Sequence, residues 1–132
     1  MTAQPKLTRN QSLVLDALTA SGQPLSAYTI LDRLRDHGFR APLQVYRALD
    51  KLIEQGLIHR LESLNAFVAC TQPHEHLHEH GVTAFAICED CGQVTEFQDA
   101  AIEHRLAALV SAQDFRTEKT TIEVRGHCRD CR

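Results

Sequence analysis

Two cysteine pairs set 40 residues apart constrain this chain more than any other feature. Cys88 with Cys91, and Cys128 with Cys131, are CxxC units, each able to offer two thiolates to one metal at a turn. Four thiolates at about 2.3 Å from Zn²⁺ form a closed tetrahedral structural site. The segment between the pairs is longer than in common zinc ribbons, so they must clamp a folded α/β unit. Only Gly92 follows a pair directly, where it relieves backbone strain at the knuckle. Two small disulfides are disfavoured in a reducing compartment. A thioredoxin-like redox pair would not require a second copy. A shell of four cysteines leaves no open coordination position, so no catalysis is expected of it.

That preference for metal over disulfides rests on compartment. The opening MTAQPKLTRNQ lacks the apolar core of a secretory signal, and no apolar run approaches the roughly 20 residues that span a bilayer. The expectation is a soluble cytoplasmic protein without a membrane partner. With 132 residues there is room for one medium domain or two very small ones, which makes extra staples useful. Five cysteines and eight histidines strengthen the metal reading. The formal charge of −3 conceals an uneven distribution: Met1 to Cys70 carries 8 Lys+Arg against 6 Asp+Glu, and the remainder 6 against 11. The first half is the basic one.

In that half, Thr8, Arg9 and Asn10 precede Leu13, Val14, Ala17 and Leu18, spaced as one helical face. Ser21 to Pro24 break the pattern. Ser26 then caps a second helix through Ile30, Leu31 and Leu34, ended by Gly38. Pro42 suits the first turn of a third, in which Val45, Leu49, Leu52 and Ile53 recur at helical spacing until Gly56. Leu57 to Glu62 and Asn65 to Cys70 read as a hairpin around Ser63 and Leu64. Three helices and a two-stranded wing are the order of a winged helix-turn-helix, with the third helix as the reader. Thr71 to Gly81 is poor in apolar residues and reads as a linker. Strands Phe85 to Cys88 and Gln93 to Phe97, a helix with Ile102, Leu106, Leu109 and Val110, and a strand from about Thr120 to Val124 follow.

The fold class is therefore α+β. A winged-helix DNA-binding domain is assigned to residues 1–70, a His-rich hinge to 71–83 and a small α/β domain to 84–132.

The hinge run His74, Glu75, His76, Leu77, His78 formally matches HExxH. That zinc-protease chemistry needs a helix holding both histidines on one face, and a polar run bracketed by Pro73 and Gly81 matches by composition alone. The wing offers a better site. With its loop centred between Ser63 and Leu64, His59 stands opposite Val68, and His59 and Cys70 share a face as diagonal neighbours. A slip of one residue would reverse that face. Linker histidines and Glu96 would complete a Cys/His/His/Glu set suited to Zn²⁺, whereas Fe²⁺ prefers several nitrogens and oxygens in six-coordination. The residues alone leave a second reading open, with Cys70 a small core residue and His59 a polar residue on an exposed strand.

The stretch PLQVYRALDKLIEQGLIHRLESLNAFVAC, the linker histidines, CEDCGQVTEF and GHCRDC together resemble the ferric uptake regulator (Fur) family. The likeness runs over nearly the whole chain and is strongest to its zinc uptake regulator (Zur) branch. It implies a homodimeric repressor, with 84–132 as the dimerisation domain, that binds palindromic AT-rich operators of zinc-uptake genes when zinc-loaded. By position in the motifs it maps a structural zinc onto Cys88, Cys91, Cys128 and Cys131. The sensing zinc maps onto His59, Cys70, His80 and Glu96, with His78 as the substitute for His80. One structural and one regulatory Zn²⁺ per protomer are implied, without a small-molecule substrate. Two departures matter. The family often has Thr-Pro-Gln-Arg where this chain has Thr8, Arg9, Asn10, Gln11, which shifts a phosphate contact to Arg9. A third metal site of some members uses linker histidines, a Glu matching Glu103 and a late histidine, where this chain has Thr120; His76 and Glu103 remain. His37 and His104 read as surface residues, and His127 as a neighbour of the structural zinc.

For DNA, Gln44, Tyr46 and Arg47 stand early in the reading helix, where side chains reach base edges. Lys6, Arg9, Arg40, Lys51 and Arg60 are candidate phosphate contacts. An iron or peroxide sensor of the same family is the alternative that Cys70 argues against. A zinc-dependent hydrolase built on HEHLH and a zinc buffer without DNA affinity are the alternatives from other classes.

Overall fold

The computed structural model describes residues 6–70, 83–118 and 120–132. The chain divides into two compact units, Met1–Leu77 and His78–Arg132.

The first unit is built from short helices whose ends are written locally. Thr8 caps α1 (Arg9–Ser21) through a capping box: Gln11 N–H donates to Thr8 Oγ1 at 3.2 Å, and Thr8 N–H donates to Gln11 Oε1 at 3.1 Å. Gly22 ends the helix at φ 69°, left-handed backbone that glycine adopts without a Cβ penalty. Ser26 caps α2 (Ala27–Arg33) by accepting from Thr29 N–H at 3.1 Å. The pattern expected to run as one helix to Gly38 breaks at Leu34. A 3₁₀ turn over Arg35–His37 follows, and Gly38 at φ 95° closes it. That tighter turn delivers Phe39, 1% exposed, into the core.

Pro42 opens α3 (Pro42–Glu54), where its missing N–H costs no helical hydrogen bond. One face of each helix meets the others: Val14 of α1, Ile30 of α2, and Val45, Leu49 and Leu52 of α3 are fully buried. Each such side chain contributes roughly 1.5–3 kcal/mol by leaving water. The hairpin β1 (Ile58–Leu61) and β2 (Ala66–Ala69) pairs His59 with Val68 and Leu61 with Ala66. Its register is thus centred between Ser63 and Leu64. A contact not visible in the sequence ties the wing down: Leu25 and Phe67 form an antiparallel bridge, exchanging N–H···O bonds of 3.0 and 2.8 Å.

In the second unit, β3 (Thr83–Cys88) is central in a three-stranded sheet of order β4-β3-β5. It pairs antiparallel with β4 (Val94–Gln98) and parallel with β5 (Ile122–Gly126). β3 starts at Thr83, one residue inside the expected hinge, and β5 runs about two residues later than its apolar pattern indicated. Between β4 and β5 lies α4 (Ala100–Ser111), capped by Asp99, whose Oδ1 accepts from Ala101 N–H at 2.7 Å and Ile102 N–H at 3.4 Å. Replacing Asp99 by Ala is expected to cost about 1 kcal/mol, read as a lower urea midpoint with unchanged zinc content. Among the described residues of this unit, the buried ones, Ala84, Phe85, Ile87 and Cys88, all belong to β3, and α4 buries none. Among the described residues no helix is long and apolar enough to cross a membrane.

Candidate functional site

The four cysteines of the paired motifs converge in the second unit, and strand pairing is the cause. Cys88 ends β3, and the parallel register sets it beside Gly126, the end of β5. Cys128 stands two residues further on and so arrives at the same corner. Each CxxC closes a tight turn: Gly92 N–H donates to Cys88 O at 3.0 Å, and Cys131 N–H to Cys128 O at 2.9 Å. Gly92 has φ 78°, the left-handed conformation expected at this knuckle.

The Sγ atoms of Cys88, Cys91, Cys128 and Cys131 all lie within 4.8 Å of one another. Cys91 and Cys128 sulfurs are 3.7 Å apart. A tetrahedron of thiolates with bonds of about 2.3 Å has edges of about 3.8 Å, so the donor set fits Zn²⁺ in both chemistry and spacing. All four are free thiols.

The backbone also prepares a thiolate. N–H groups of Cys91 and Cys128 point at Cys88 Sγ from 3.5 and 3.3 Å, and these donors lower the Cys88 thiol from 9.0 to about 6. Hydrogen bonding to the sulfurs of Cys128 and Cys88, joined by desolvation, pushes Cys131 up to about 12. The backbone donors favour the thiolate form of Cys88, and metal capture by such a cluster displaces thiol protons. Beside it, His127 Nδ1 lies 2.6 Å from Asp90 Oδ2, and that hydrogen bond with the carboxylate charge raises the imidazole above its ordinary range. No sequence signal pointed to this pair.

On the wing, a His59 ring nitrogen and Cys70 Sγ lie within 4.8 Å of each other. The register places them diagonally across the hairpin, and Cys70 N–H extends the ladder by donating to Leu57 O at 2.9 Å. Both side chains are half-buried. Glu96 is on β4 in the second unit, opposite Phe85, and is half-buried with Val94 and Gln98 on alternate positions of that strand. His76, His78 and His80 lie outside the described residues. Glu103 is half-buried in the first turn of α4, while His37 and His104 are exposed.

The candidate DNA-reading side chains Gln44, Tyr46 and Arg47 all lie on α3. Tyr46 and Arg47 are exposed on α3, and Arg47, Gln44 and Lys51 line a groove with Thr8, Asn10 and Gln11 at the start of α1. Arg9 is exposed at the first position of α1 and is not among the described residues lining that groove. Lys51 Nζ is 3.4 Å from Glu54 Oε2, an exposed pair that leaves it available to phosphate. Arg60 donates to Asn65 Oδ1 at 2.9 Å and has Glu62 at 3.7 Å, so the wing tip already engages its guanidinium. Gln44 differs most from expectation. Its Oε1 accepts from the N–H groups of Arg40 and Ala41, which makes it a helix cap as well as a groove residue.

The ferric uptake regulator family model matches residues 2–125. The zinc uptake regulation protein of Escherichia coli K12 is 35% identical over 127 residues, spanning 96% of this chain and 72% of the relative. Two solved structures share the architecture. A zinc uptake regulator complexed with zinc and DNA aligns at a TM-score of 0.88 and 33% identity, covering 95% of this chain and 82% of its own. A crystal structure of holo XcZur aligns at 0.86 and 37%, covering 97% and 87%. With the family model matching nearly the whole chain and a relative 35% identical over 127 residues, this chain belongs to the ferric uptake regulator family.

Proposed function

We infer that the chain is a zinc-responsive transcriptional repressor that acts in the cytoplasm as a homodimer. When zinc-loaded it binds palindromic AT-rich operators of zinc-uptake genes. The observation that carries this reading is the nearness of His59 and Cys70 on the wing that directly follows α3. A thiolate and an imidazole make a zinc-preferring start to a site, and Cys70 disfavours an iron or peroxide sensor. Relatives named for zinc uptake regulation support the same reading.

In this proposal Cys88, Cys91, Cys128 and Cys131 hold a structural zinc, and His59, Cys70, His80 and Glu96 hold the regulatory one, with His78 the substitute for His80. Residues 1–70 bind DNA, 71–83 form the hinge and 84–132 dimerise. Dimerisation accounts for the apolar surface that the second unit leaves in water: Phe97, Ile102, Leu109, Phe115 and Val124 are all exposed. A zinc ion held by these residues would join one thiolate, two imidazoles and a carboxylate. Because these ligands come from both sides of the hinge, holding them together favours one arrangement of the two domains. Such a bias moves the population only by its differential affinity, and a ratio of about 10⁴ nearly inverts an equilibrium.

Arg47 tests the reading helix. Its guanidinium can donate two hydrogen bonds to a guanine edge, so Arg47→Ala is expected to cost about 1–3 kcal/mol of operator binding at matched salt. Folding and zinc content should stay as in the parent. An Arg47→Ala protein with undiminished affinity would place the DNA-reading surface elsewhere.

A further inference from the structure

Gln44 is committed at the start of α3 by an interaction that limits what it can offer to DNA. Its Oε1 accepts from Arg40 N–H at 2.6 Å and from Ala41 N–H at 3.0 Å. Both partners are donors, so the amide has one workable orientation, oxygen toward the backbone and Nε2 away from it. Ala41 stands at the N-cap with no side-chain acceptor of its own. Gln44, at the third helical position, therefore supplies the returning half of a capping box, taking the N–H groups of Ala41 and of Arg40 just ahead of the helix. Its two Nε2 donors have no partner among the described residues. Gln44 precedes Arg47 by three residues, which puts both on one face of the helix, and both line the groove between α1 and α3.

A glutamine free at both ends pairs with adenine by accepting from N6 and donating to N7. Here the accepting half is taken. We propose that Gln44 is a donor-only specificity residue, fixed by the Arg40 and Ala41 N–H groups, that selects a base edge presenting a keto acceptor, guanine O6 or thymine O4. The inference rests on the reading of this chain as a zinc-dependent operator-binding protein. It adds the rule by which one base pair in each half-site is chosen.

The rule can be inverted by a substitution that leaves the cap in place. Gln44→Glu keeps one oxygen for the two N–H groups and replaces the outward donor by an acceptor, which should favour the amino groups of cytosine N4 or adenine N6. Gln44→Met keeps the length but offers neither function. The experiment selects duplexes from a random-sequence pool with the zinc-loaded full chain. Affinities of the parent and both variants are then measured over all four base pairs at each half-site position.

At one position per half-site the parent should favour guanine or thymine, Gln44→Glu should reverse that preference toward cytosine or adenine, and Gln44→Met should flatten it. Uniform repulsion by the new carboxylate lowers every affinity alike and leaves the pattern readable. Thermal midpoints report the cap, with Gln44→Glu matching the parent and Gln44→Met falling below it. A readout that needs only the parent is replacement of the O6 or O4 acceptor at that position by base analogues lacking it. The expected loss is roughly 2- to 12-fold, the range for one net hydrogen bond.

The proposal is overturned if Gln44→Glu keeps the parent's preference at every position, or if the acceptor-deleted duplexes bind the parent undiminished. It is also overturned if the parent favours adenine there and loses affinity on removal of N6. A parent that selects no duplex in zinc overturns the functional reading and this rule with it. A parent that selects duplexes normally while its Gln44 variants keep its pattern overturns the rule alone.

Discussion

Cys91→Ser is expected to release the structural zinc and leave residues 84–132 without a fixed fold or a dimer. Among the described residues of the second unit the buried ones all lie on β3, and α4 adds none, so little apolar burial stands behind the sheet there. A domain this small usually needs a metal or a partner to offset the entropy of ordering. The four-cysteine cluster ties the end of β3 to the end of β5 and thereby closes the parallel pairing, which has no local turn to support it. Structural zinc can contribute roughly 10 kcal/mol or more of folding free energy in small domains. A serine hydroxyl in place of one thiolate opens the shell. Zinc per protomer, circular dichroism and oligomer mass measure the outcome. A Cys91→Ser protein that stays dimeric with its full zinc content would show that this cluster is not what holds the fold.

Cys70→Ser should differ in kind. Cys70 lies at the end of the wing, and its backbone N–H to Leu57 O does not depend on its side chain. The half-buried sulfur is absent from the fully buried core, so replacing it with a hydroxyl should leave the first unit folded. Serine coordinates zinc poorly, and the second zinc should be lost or weakened. Allosteric coupling of ordinary size is about 1–3 kcal/mol, so the 5- to 150-fold rise in operator affinity with zinc should disappear while affinity without added zinc is retained. Zinc per protomer should fall from two toward one. A Cys70→Ser dimer that responds to zinc like the parent would make Cys70 a packing residue and put the sensor wholly in the linker histidines.

What could be read from the chain was what is written within a few residues of itself. Thr8, Ser26, Pro42 and Gly22 mark helix ends because caps act over a single turn. The wing register followed from a short loop, since two strands joined by a tight turn have few alignments; hence His59 opposite Val68 was legible. The CxxC turns were legible too, but not the reason the pairs meet. That reason is the register of Cys88 against Gly126 across strands remote in sequence. The Leu25–Phe67 bridge escaped for the same cause. The break at Leu34 was hidden because apolar periodicity does not distinguish an α-helix that continues from one that tightens for a turn. Gln44 was legible as a polar residue on the reading helix, while its capping role depends on the extended backbone at Ala41.

In the proposed mechanism zinc, through a site containing Cys70, controls DNA binding. The most direct test is a titration of operator affinity against free Zn²⁺, Fe²⁺ and Mn²⁺ at one fixed salt concentration, because phosphate contacts make affinity steeply salt-dependent. The duplex is one selected by the zinc-loaded chain. Affinity is predicted to rise with free Zn²⁺ along a saturable curve, and to stay near the metal-poor value in Fe²⁺ or Mn²⁺ at matched free concentrations. An affinity that ignores Zn²⁺, or that Fe²⁺ raises equally well, would rule out zinc-specific control of DNA binding.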